Sequence, residues 1–218
     1  FYSSRFLIDK TIEFIDSNLE DGKPFFAYVP FQAVHMPVQA PQEYIDKYMG
    51  VYDAGWDSLR NQRLERAVEL GIVPPDTAMV DMATTDDWDA LDAQRKRYEA
   101  KRMAVYAGMI EAMDVHLGRL VAYIKSQGQY ENTIFIFTTD NGTATGENLF
   151  NAGMKGKKNS EYDGGHRVPF FLHWPQAGLT KPRDIDQLTA HIDVLPTLIE
   201  LCGLNAPLDY SFDGRSLA

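Results

Sequence analysis

Apolar residues near the N-terminus recur at the spacing of a helix. The residues of this stripe are Ile8, Ile12, Ile15 and Leu19. Their spacing of three or four positions places them on one helical face. Ser3 or Ser4 is suited to cap the start of this helix, and Gly22 is suited to end it. The pattern predicts a first helix that packs one face against a core.

Two later segments show the same periodicity. A stripe of apolar residues within 103–124 predicts a long, core-facing helix that ends near Gly128. The stretch DVLPTLIELCG predicts a final helix. In that helix Asp193 is expected at the N-cap, Pro196 in the first turn and Gly203 at the stop.

Three short apolar runs have the composition of buried strands. They are PFFAYVPF at 24–31, the run 134–137, and RVPFFLHW at 167–174. Strands that are almost continuously apolar are typical of parallel sheets covered on both faces. Because helices and strands alternate along the chain, the sequence predicts the α/β class, with a largely parallel, mixed sheet flanked by helices.

Polar segments interrupt this pattern at two places. After a short helix predicted over 43–48, residues 55–85 are mixed in charge and contain Pro74 and Pro75, so we expect an irregular insertion at about 50–100. A polar, glycine-rich loop connects the last two predicted strands. Loops of that length are usually functional or disordered.

Composition narrows the class of partner. The chain is 44% hydrophobic, which suffices for a packed core, and its 21 Lys and Arg against 31 Asp and Glu give a formal net charge of -10. This charge disfavours a nucleic acid or an anionic membrane as the main partner. The longest apolar runs are strand-sized, so no membrane span is expected. The one cysteine, Cys202, lies in the apolar stripe of the last helix and is expected in the core.

Three polar clusters lie beside the predicted strands: one follows the first strand, one follows the second, and one leads into the third. They are residues 32–35, 138–142 and the lysine-rich stretch KGKKNSEYDGGHRVP at 155–169. In open α/β sheets, ligands bind beyond the carboxyl ends of the strands. We therefore expect the three clusters to converge on one site.

Asp140 and Asn141 carry hard oxygen donors of the kind that Ca²⁺ or Mg²⁺ binds, and Gly142 allows a sharp turn behind them. The same three residue types are common in turns, so the tripeptide alone also fits a plain turn. Calcium takes about six to eight oxygen ligands. If this is a metal site, the other ligands must come from elsewhere.

Basic side chains supply candidates for contact with an anion. His35 is suited to donate to an oxyanion or to protonate a leaving group, although a loop histidine is also common polar surface. A fixed lysine ammonium beside backbone N–H groups of glycines suits a tetrahedral oxyanion. The alternative is that the lysines are a run of charges exposed to solvent with no ligand. The lysines concerned are Lys155, Lys157 and Lys158. Structural roles are expected for His116, His173 and His191, and His166 is left open.

Together these segments resemble the sulfatase family of the alkaline-phosphatase superfamily. The matching stretches are PFFAYVPFQAVHMPVQAP, YAGMIEAMDVHLGRLVAYIKSQGQYENTIFIFTTDNG, KKNSEYDGGHRVPFFLHWP, HIDVLPTLIELCG and DGRSL. Their order and spacing cover most of the chain, and the insertion that begins GWDSLRNQRLERAVELGIVPP is similar to bacterial arylsulfatases. The resemblance implies that residues 1–218 form part of a sulfatase catalytic domain, which hydrolyses sulfate esters.

The resemblance also implies roles for the candidate residues. Asp140 and Asn141 would be two of the calcium ligands, and Asp140 would also help to deprotonate the nucleophile. His35 would contact the ester near its bridging oxygen and assist departure of the leaving group. Lys158 would bind the sulfate, with Lys155 and Lys157 as rivals if the loop register differs.

The sequence departs from the family at the nucleophile. The family nucleophile is a formylglycine made from the cysteine of a Cys-x-Pro-x-Arg signature, and no such signature occurs here. We therefore expect the formylglycine and the remaining calcium ligands to lie in a missing N-terminal part, and the chain alone to be inactive. That part or another copy of the chain would cover the apolar strand edges.

Two other functions stay open at this point. One is hydrolysis of a phosphoester or phosphonate by a member of the same superfamily, and the other is a non-catalytic module that binds sulfated glycans. For the sulfatase reading, the partner implied is a sulfated small molecule or glycan, and the location implied by the resemblance is periplasmic or secreted.

Overall fold

A computed structural model of the chain describes residues 1–79, 86–144, 151, 153–205 and 211–218. The chain divides into two compact units, Phe1–Leu179 and Thr180–Ala218. The helices of the first unit are α1 (Ser3–Asp16), α2 (Gln42–Ile45), α3 (Gly55–Glu69), α4 (Ala93–Ser126) and α5 (Asp163–His166). Its strands are β1 (Phe135–Thr138) and β2 (Phe170–His173), and the second unit contains α6 (Val194–Leu201). The predicted α/β class is confirmed.

The core of the first unit lies between α1 and α4. Ile8 and Ile15 of α1 pack with Leu120 and Ile124 of α4, as the two apolar stripes predict. Residues from neighbouring segments pack around this cluster, among them Phe25, Val29, Phe31, Tyr130 and Phe135. Burial of these side chains is the main source of stability for the two helices.

The ends of these helices agree only partly with the sequence pattern. The predicted serine cap of α1 is wrong: Tyr2 stands at the N-cap without a side-chain bond to the helix, and Ser4 is buried in the first turn. Helix α4 begins ten residues before its apolar stripe, where the Asp92 carboxylate accepts the N–H of Arg95 at 2.8 Å. Its end before Gly128, which has φ 68°, is as predicted.

The first predicted strand does not form. Residues 24–31 have no regular secondary structure, and no other strand pairs with them in the described part of the chain. Phe25, Val29 and Phe31 contact the core, whereas Phe26 and Tyr28 are 84% and 79% exposed. The prediction of burial on both faces was wrong because the segment is covered on one side alone.

Strands β1 and β2 pair in an antiparallel sheet, with Phe135 opposite His173 and Thr138 opposite Phe170. The parallel arrangement that the sequence predicts is therefore not found between these two strands. Parallel pairing needs a connection that crosses back over the sheet, whereas the first residue of β2, Phe170, lies opposite the last residue of β1, Thr138. The strands are not covered on both faces either, since Phe171 is exposed.

The insertion is more regular than its charge pattern suggests. Residues 55–69 form α3, and Gly55 is its one buried residue. The mixed charges are those of a solvent-facing helix, with an ion pair of 2.9 Å between Arg66 and Glu69. Residues 80–85, at the end of the predicted irregular region, lie outside the described residues.

The second unit is built around α6. As predicted, the helix begins after Asp193 and ends before Gly203, which has φ 60°. The buried Asp193 does not cap its own helix; its carboxylate accepts the backbone N–H groups of Ala190 and Arg215, each at 2.8 Å. Cys202 is exposed, so its expected core position was wrong: it follows the last turn of α6, where the chain leaves the helix.

Within the described residues, we find no helix with the length and apolarity that a membrane crossing requires.

Candidate functional site

The loop after β1 carries the two predicted oxygen donors. Asp140 is exposed and Asn141 is half-buried. The side-chain amide of Asn141 donates to one carboxylate oxygen of Asp140 at 2.5 Å, and the Thr139 hydroxyl donates to the carbonyl of Asn141 at 3.2 Å. The amide oxygen of Asn141 and the second carboxylate oxygen of Asp140 are not used by these bonds. This arrangement is a tight turn whose remaining oxygens can bind a cation.

Backbone hydrogen bonds join this loop to the lysine-rich loop. The N–H of Gly142 donates to the carbonyl of Gly165 at 2.9 Å, and the N–H of Lys158 donates to the carbonyl of Thr143 at 2.8 Å. Two of the three polar clusters are therefore adjacent, as the sequence predicts.

Glycines make this close approach possible. A Cβ atom on Gly142 would lie 1.9 Å from the carbonyl oxygen of Gly164, and one on Gly164 would lie 2.1 Å from that of Gly156. A Cβ atom on Gly165 would lie 2.2 Å from the carbonyl oxygen of Ser160. Backbone packs directly on backbone at these positions, so the shape of the site depends on the absence of side chains.

Asn151 is a functional candidate that the sequence analysis missed. Its side-chain amide donates to the carbonyls of Met154 and Gly156, at 2.9 and 2.8 Å. Its two bonds thereby hold the backbone on both sides of Lys155, while the N–H of Gly164 donates to the carbonyl of Lys155 at 2.8 Å. The available signal was an asparagine just before a glycine-rich turn, a position where its amide commonly bonds to nearby backbone.

The three lysines differ in what their side chains contact. The ammonium of Lys155 lies 3.8 Å from the centre of the Tyr162 ring, in a cation–π contact. The backbone of Lys157 is bonded at both its N–H and its carbonyl to Ser160. The half-buried Lys158 makes no ion pair or side-chain hydrogen bond with the described residues. Its ammonium is therefore the better candidate for an anion, as the sequence analysis prefers.

His35 makes its hydrogen bonds within its own loop. Its N–H donates to the carbonyl of Gln32 at 2.8 Å, and its Nδ1 lies 2.8 Å from the carbonyl oxygen of Met36. A carbonyl can only accept, so Nδ1 carries a proton and Nε2 is the nitrogen that can exchange one. The exposed ring is not tied by these contacts to the other two clusters, and its convergence with them stays a prediction.

Two other histidines have structural partners, as predicted. His116 is buried in α4 with its Nδ1 3.2 Å from a guanidinium nitrogen of Arg119, and burial lowers its pKa. The Nε2 of His173 lies 2.9 Å from the hydroxyl of Tyr130. Neither ring is needed to explain chemistry at the loop site.

The candidate metal donors form an incomplete set within the described residues. No group of three or more His, Cys, Asp or Glu side chains in that part of the chain is arranged to bind a metal ion. Asp140 and Asn141 supply hard oxygen donors, which suit Ca²⁺ in type but not in number.

Comparison with known proteins gives consistent matches over nearly the whole chain. Residues 1–204 match the family profile described as Sulfatase. An uncharacterized sulfatase of Schizosaccharomyces pombe is 35% identical over 257 residues, which cover 100% of this chain and 46% of that relative. An arylsulfatase of Klebsiella aerogenes is 31% identical over 242 residues, covering 94% of this chain and 52% of that enzyme. The chain thus spans about half the length of these curated relatives.

A solved structure shows the same fold. The crystal structure of Ps i-CgsB in complex with k-i-k-neocarrahexaose has a TM-score of 0.63 and 25% sequence identity. The match covers 98% of this chain and 37% of that chain.

Proposed function

The chain belongs to the sulfatase family, and we propose that its loop site takes part in the hydrolysis of a sulfate ester. The observation that carries this proposal is the pair of backbone bonds that join the Gly142–Thr143 backbone to Gly165 and Lys158. They bring two oxygen donors and a lysine onto adjacent segments. Both would serve a sulfate group: the lysine supplies positive charge to its oxygens directly, and the oxygen donors would supply it through a bound cation, while the two fixed segments orient the reacting centre.

Lys158 would bind the sulfate. An ammonium donates up to three hydrogen bonds and carries a full positive charge, so it stabilises an anionic oxygen more strongly than a neutral donor does. The bond from its backbone to Thr143 fixes the origin of the side chain relative to the segment that carries Asp140 and Asn141.

Asp140 and Asn141 would hold a calcium ion through the free carboxylate oxygen and the amide oxygen. When bound, the ion would supply further positive charge to the sulfate oxygens. The hydrogen bond between the two side chains keeps both oxygens on one turn. The other ligands of the ion would come from outside these residues.

His35 would act on the leaving group. Its Nδ1 donates to the carbonyl of Met36, which orients the ring and makes Nε2 the proton-exchanging atom. In the protonated ring, Nε2–H can donate to the bridging oxygen of the ester and assist its departure as an alcohol or phenol.

Formylglycine does not fit any residue of this chain. Cys202 is followed by Gly-Leu-Asn rather than by the signature x-Pro-x-Arg, and it is exposed at the end of α6. We assign no step to it, and propose that the nucleophile lies outside these 218 residues.

The proposed substrate class is supported by the relatives. The arylsulfatase of Klebsiella aerogenes and the neocarrahexaose complex of Ps i-CgsB support an aryl sulfate or a sulfated glycan as substrate. A periplasmic or secreted location is proposed from the family resemblance alone.

Hydrolysis of an aryl sulfate tests the proposal. The 218-residue polypeptide alone should show no turnover, whereas a protein that joins it to a segment with the Cys-x-Pro-x-Arg signature should hydrolyse the ester. Asp140→Asn in that protein should lower turnover and weaken calcium binding. Full turnover by the polypeptide alone, or preference of the joined protein for a phosphate ester, would overturn the proposal.

A further inference from the structure

Helix α4 carries an exposed aromatic ring between two arginines. Tyr98 is 56% exposed. The guanidinium carbons of Arg95 and Arg102 lie 5.5 and 5.8 Å from the centre of its ring. The helical spacing places all three side chains on one face. A flat ring flanked by two planar cations is therefore present on the surface.

Glu99 fixes the positions of the two arginines. One of its carboxylate oxygens lies 2.7 Å from Arg95 and the other lies 2.8 Å from Arg102. The glutamate side chain is 10% exposed, whereas each arginine side chain is 52% exposed. Each guanidinium has five N–H donors, so donors remain on the exposed side for a ligand. The buried carboxylate thus orders two cations before any ligand arrives.

The surrounding helix is strongly basic on an acidic protein. Residues 95–102 contain five Lys and Arg and one acid, Glu99, a net charge of +4, whereas the whole chain has a net charge of -10. The cations beyond the two arginines are Lys96, Arg97 and Lys101. Four aspartates precede these residues, at positions 86, 87, 89 and 92, and Lys96 lies 3.8 Å from the Asp89 carboxylate. The cations that attract an anion are therefore those of the exposed arginines beside Tyr98.

A shallow depression lies beside the ring. It has a volume of about 270 Å³ and is lined by Asp92, Gln94, Arg95 and Tyr98. Pockets that enclose drug-sized ligands are usually about 300–1,000 Å³, so this one suits a single unit of a longer chain. The Asp92 carboxylate accepts the N–H of Arg95 and is the acidic group among these four lining residues, so an anionic group is favoured on the side of the ring away from Asp92.

We propose that Arg95, Tyr98 and Arg102 form a binding site for one sulfated sugar unit of a glycan. The apolar face of the sugar ring packs on the part of Tyr98 that the two guanidinium groups leave exposed, and this rigid ring offers contact area at low entropic cost. The sulfate accepts hydrogen bonds from the guanidinium groups, which match planar arrays of anionic oxygens. This proposal rests on the proposed function, because it assigns the glycan rather than the aryl class of sulfate ester as the substrate.

Isothermal calorimetry with a carrageenan hexasaccharide tests the site directly. The chain should bind the sulfated hexasaccharide and not its desulfated counterpart, and Tyr98→Ala and Arg102→Gln should each weaken binding by about 10-fold or more. Tyr98→Phe should retain binding, because the ring is kept. Arg66→Gln is the matched control, since Arg66 is also an exposed helical arginine paired with a glutamate, and it should bind like the unchanged chain.

Three results would overturn the site: no binding by the unchanged chain, unchanged binding by Tyr98→Ala and Arg102→Gln, or an equal loss in Arg66→Gln. The active protein is the chain joined to a segment with the Cys-x-Pro-x-Arg signature. Its steady-state kinetics separates this proposal from the proposed function. Tyr98→Ala should raise the ratio of the KM for the hexasaccharide to the KM for an aryl sulfate. If the active protein hydrolyses no sulfate ester, the proposed function fails, while calorimetry still decides whether the sugar site exists.

Discussion

The backbone N–H of Lys158 donates to the carbonyl oxygen of Thr143 at 2.8 Å. Thr143 lies three residues after Asp140 in the chain. The bond ties the start of the lysine side chain to the turn that presents the carboxylate. A change in either loop therefore changes the distance between the Lys158 ammonium and the candidate metal donors.

Replacement of Lys158 should damage anion binding more than replacement of Lys155. Lys158→Gln removes an ammonium that has no ion pair with the described residues, whereas the ammonium of Lys155 is in contact with the Tyr162 ring. A hydrogen bond to a charged group is worth about 1.5–3 kcal/mol. We therefore expect Lys158→Gln to lower kcat/KM for an aryl sulfate by roughly 10- to 100-fold in the active protein.

Lys155→Gln is the matched control and should change kcat/KM less than Lys158→Gln does. Lys158→Arg should restore part of the activity, because it returns the charge with different geometry. Equal losses for the two glutamine variants would show that neither lysine is specifically placed.

Addition of one methyl group at Gly142 should disrupt the junction of the two loops. A Cβ atom there would lie 1.9 Å from the Gly164 carbonyl oxygen, which is backbone and cannot swing aside. Overpacking of this kind costs about 1–3 kcal/mol. Gly142→Ala should lower the free energy of unfolding by that amount and remove sulfate hydrolysis by the active protein, as measured by urea titration and turnover.

Gly118→Ala is the control for this substitution. Gly118 lies within α4, and a Cβ atom there meets nothing within 4 Å. Replacement of an exposed helical glycine by alanine stabilises by about 0.5–1 kcal/mol. A loss of stability in Gly118→Ala similar to that in Gly142→Ala would refute the steric explanation.

The helices could be read from the sequence because their signals are local. The apolar stripe that includes Ile8 and Ile15 finds its partner in the stripe of α4, so both periodic patterns describe real contacts. α3 was missed because its mixed charges carry no apolar stripe, although ion pairs at helical spacing also stabilise a helix.

The sheet and the site depend on contacts that local patterns do not contain. Phe26 and Phe171 were assigned to buried strands from hydrophobicity alone, but burial requires a covering element, and both are exposed. The adjacency of the loops that carry Asp140 and Lys158 was predicted from where their clusters fall relative to the strands. The role of Asn151 was not, because its bonds to Met154 and Gly156 depend on the conformation of the loop.

Protonation of His116 should destabilise the first unit. Burial is the main cause that lowers the pKa of this imidazole, and the positive charge of Arg119 adds to it. Because the folded pKa lies below the unfolded value of about 6.5, the unfolded chain binds more protons between the two values. Stability should therefore rise with pH through that window and be fully present above it.

Other charged groups around the ring affect the size of this dependence. The negative charges of Asp9 and Glu43 oppose the lowering of the His116 pKa, whereas Arg5 reinforces it. His116→Gln keeps a side chain whose oxygen can accept from Arg119 but does not titrate. Urea unfolding midpoints at about pH 5 and about pH 7 should differ less in the variant than in the unchanged chain. An identical difference in both would assign the pH dependence to other groups.

The buried carboxylate of Asp193 should make the second unit sensitive to acid. Hydrogen bonds from the backbone N–H groups of Arg215 and then Ala190 lower its pKa. A carboxyl group whose folded pKa is depressed contributes stability above its unfolded value of about 3.9, and that contribution is lost as the pH falls through the folded pKa.

Asp193→Asn leaves a single side-chain oxygen for two donors, so the Arg215 amide should exchange hydrogen faster at neutral pH. Hydrogen exchange followed by mass spectrometry should show this difference shrinking as the pH falls below about 4, while the exposed Asp186→Asn changes nothing at either pH. Unchanged protection of Arg215 in Asp193→Asn would mean that the C-terminal segment is fixed by other bonds, such as that from the N–H of Leu217 to the Thr197 hydroxyl at 3.0 Å.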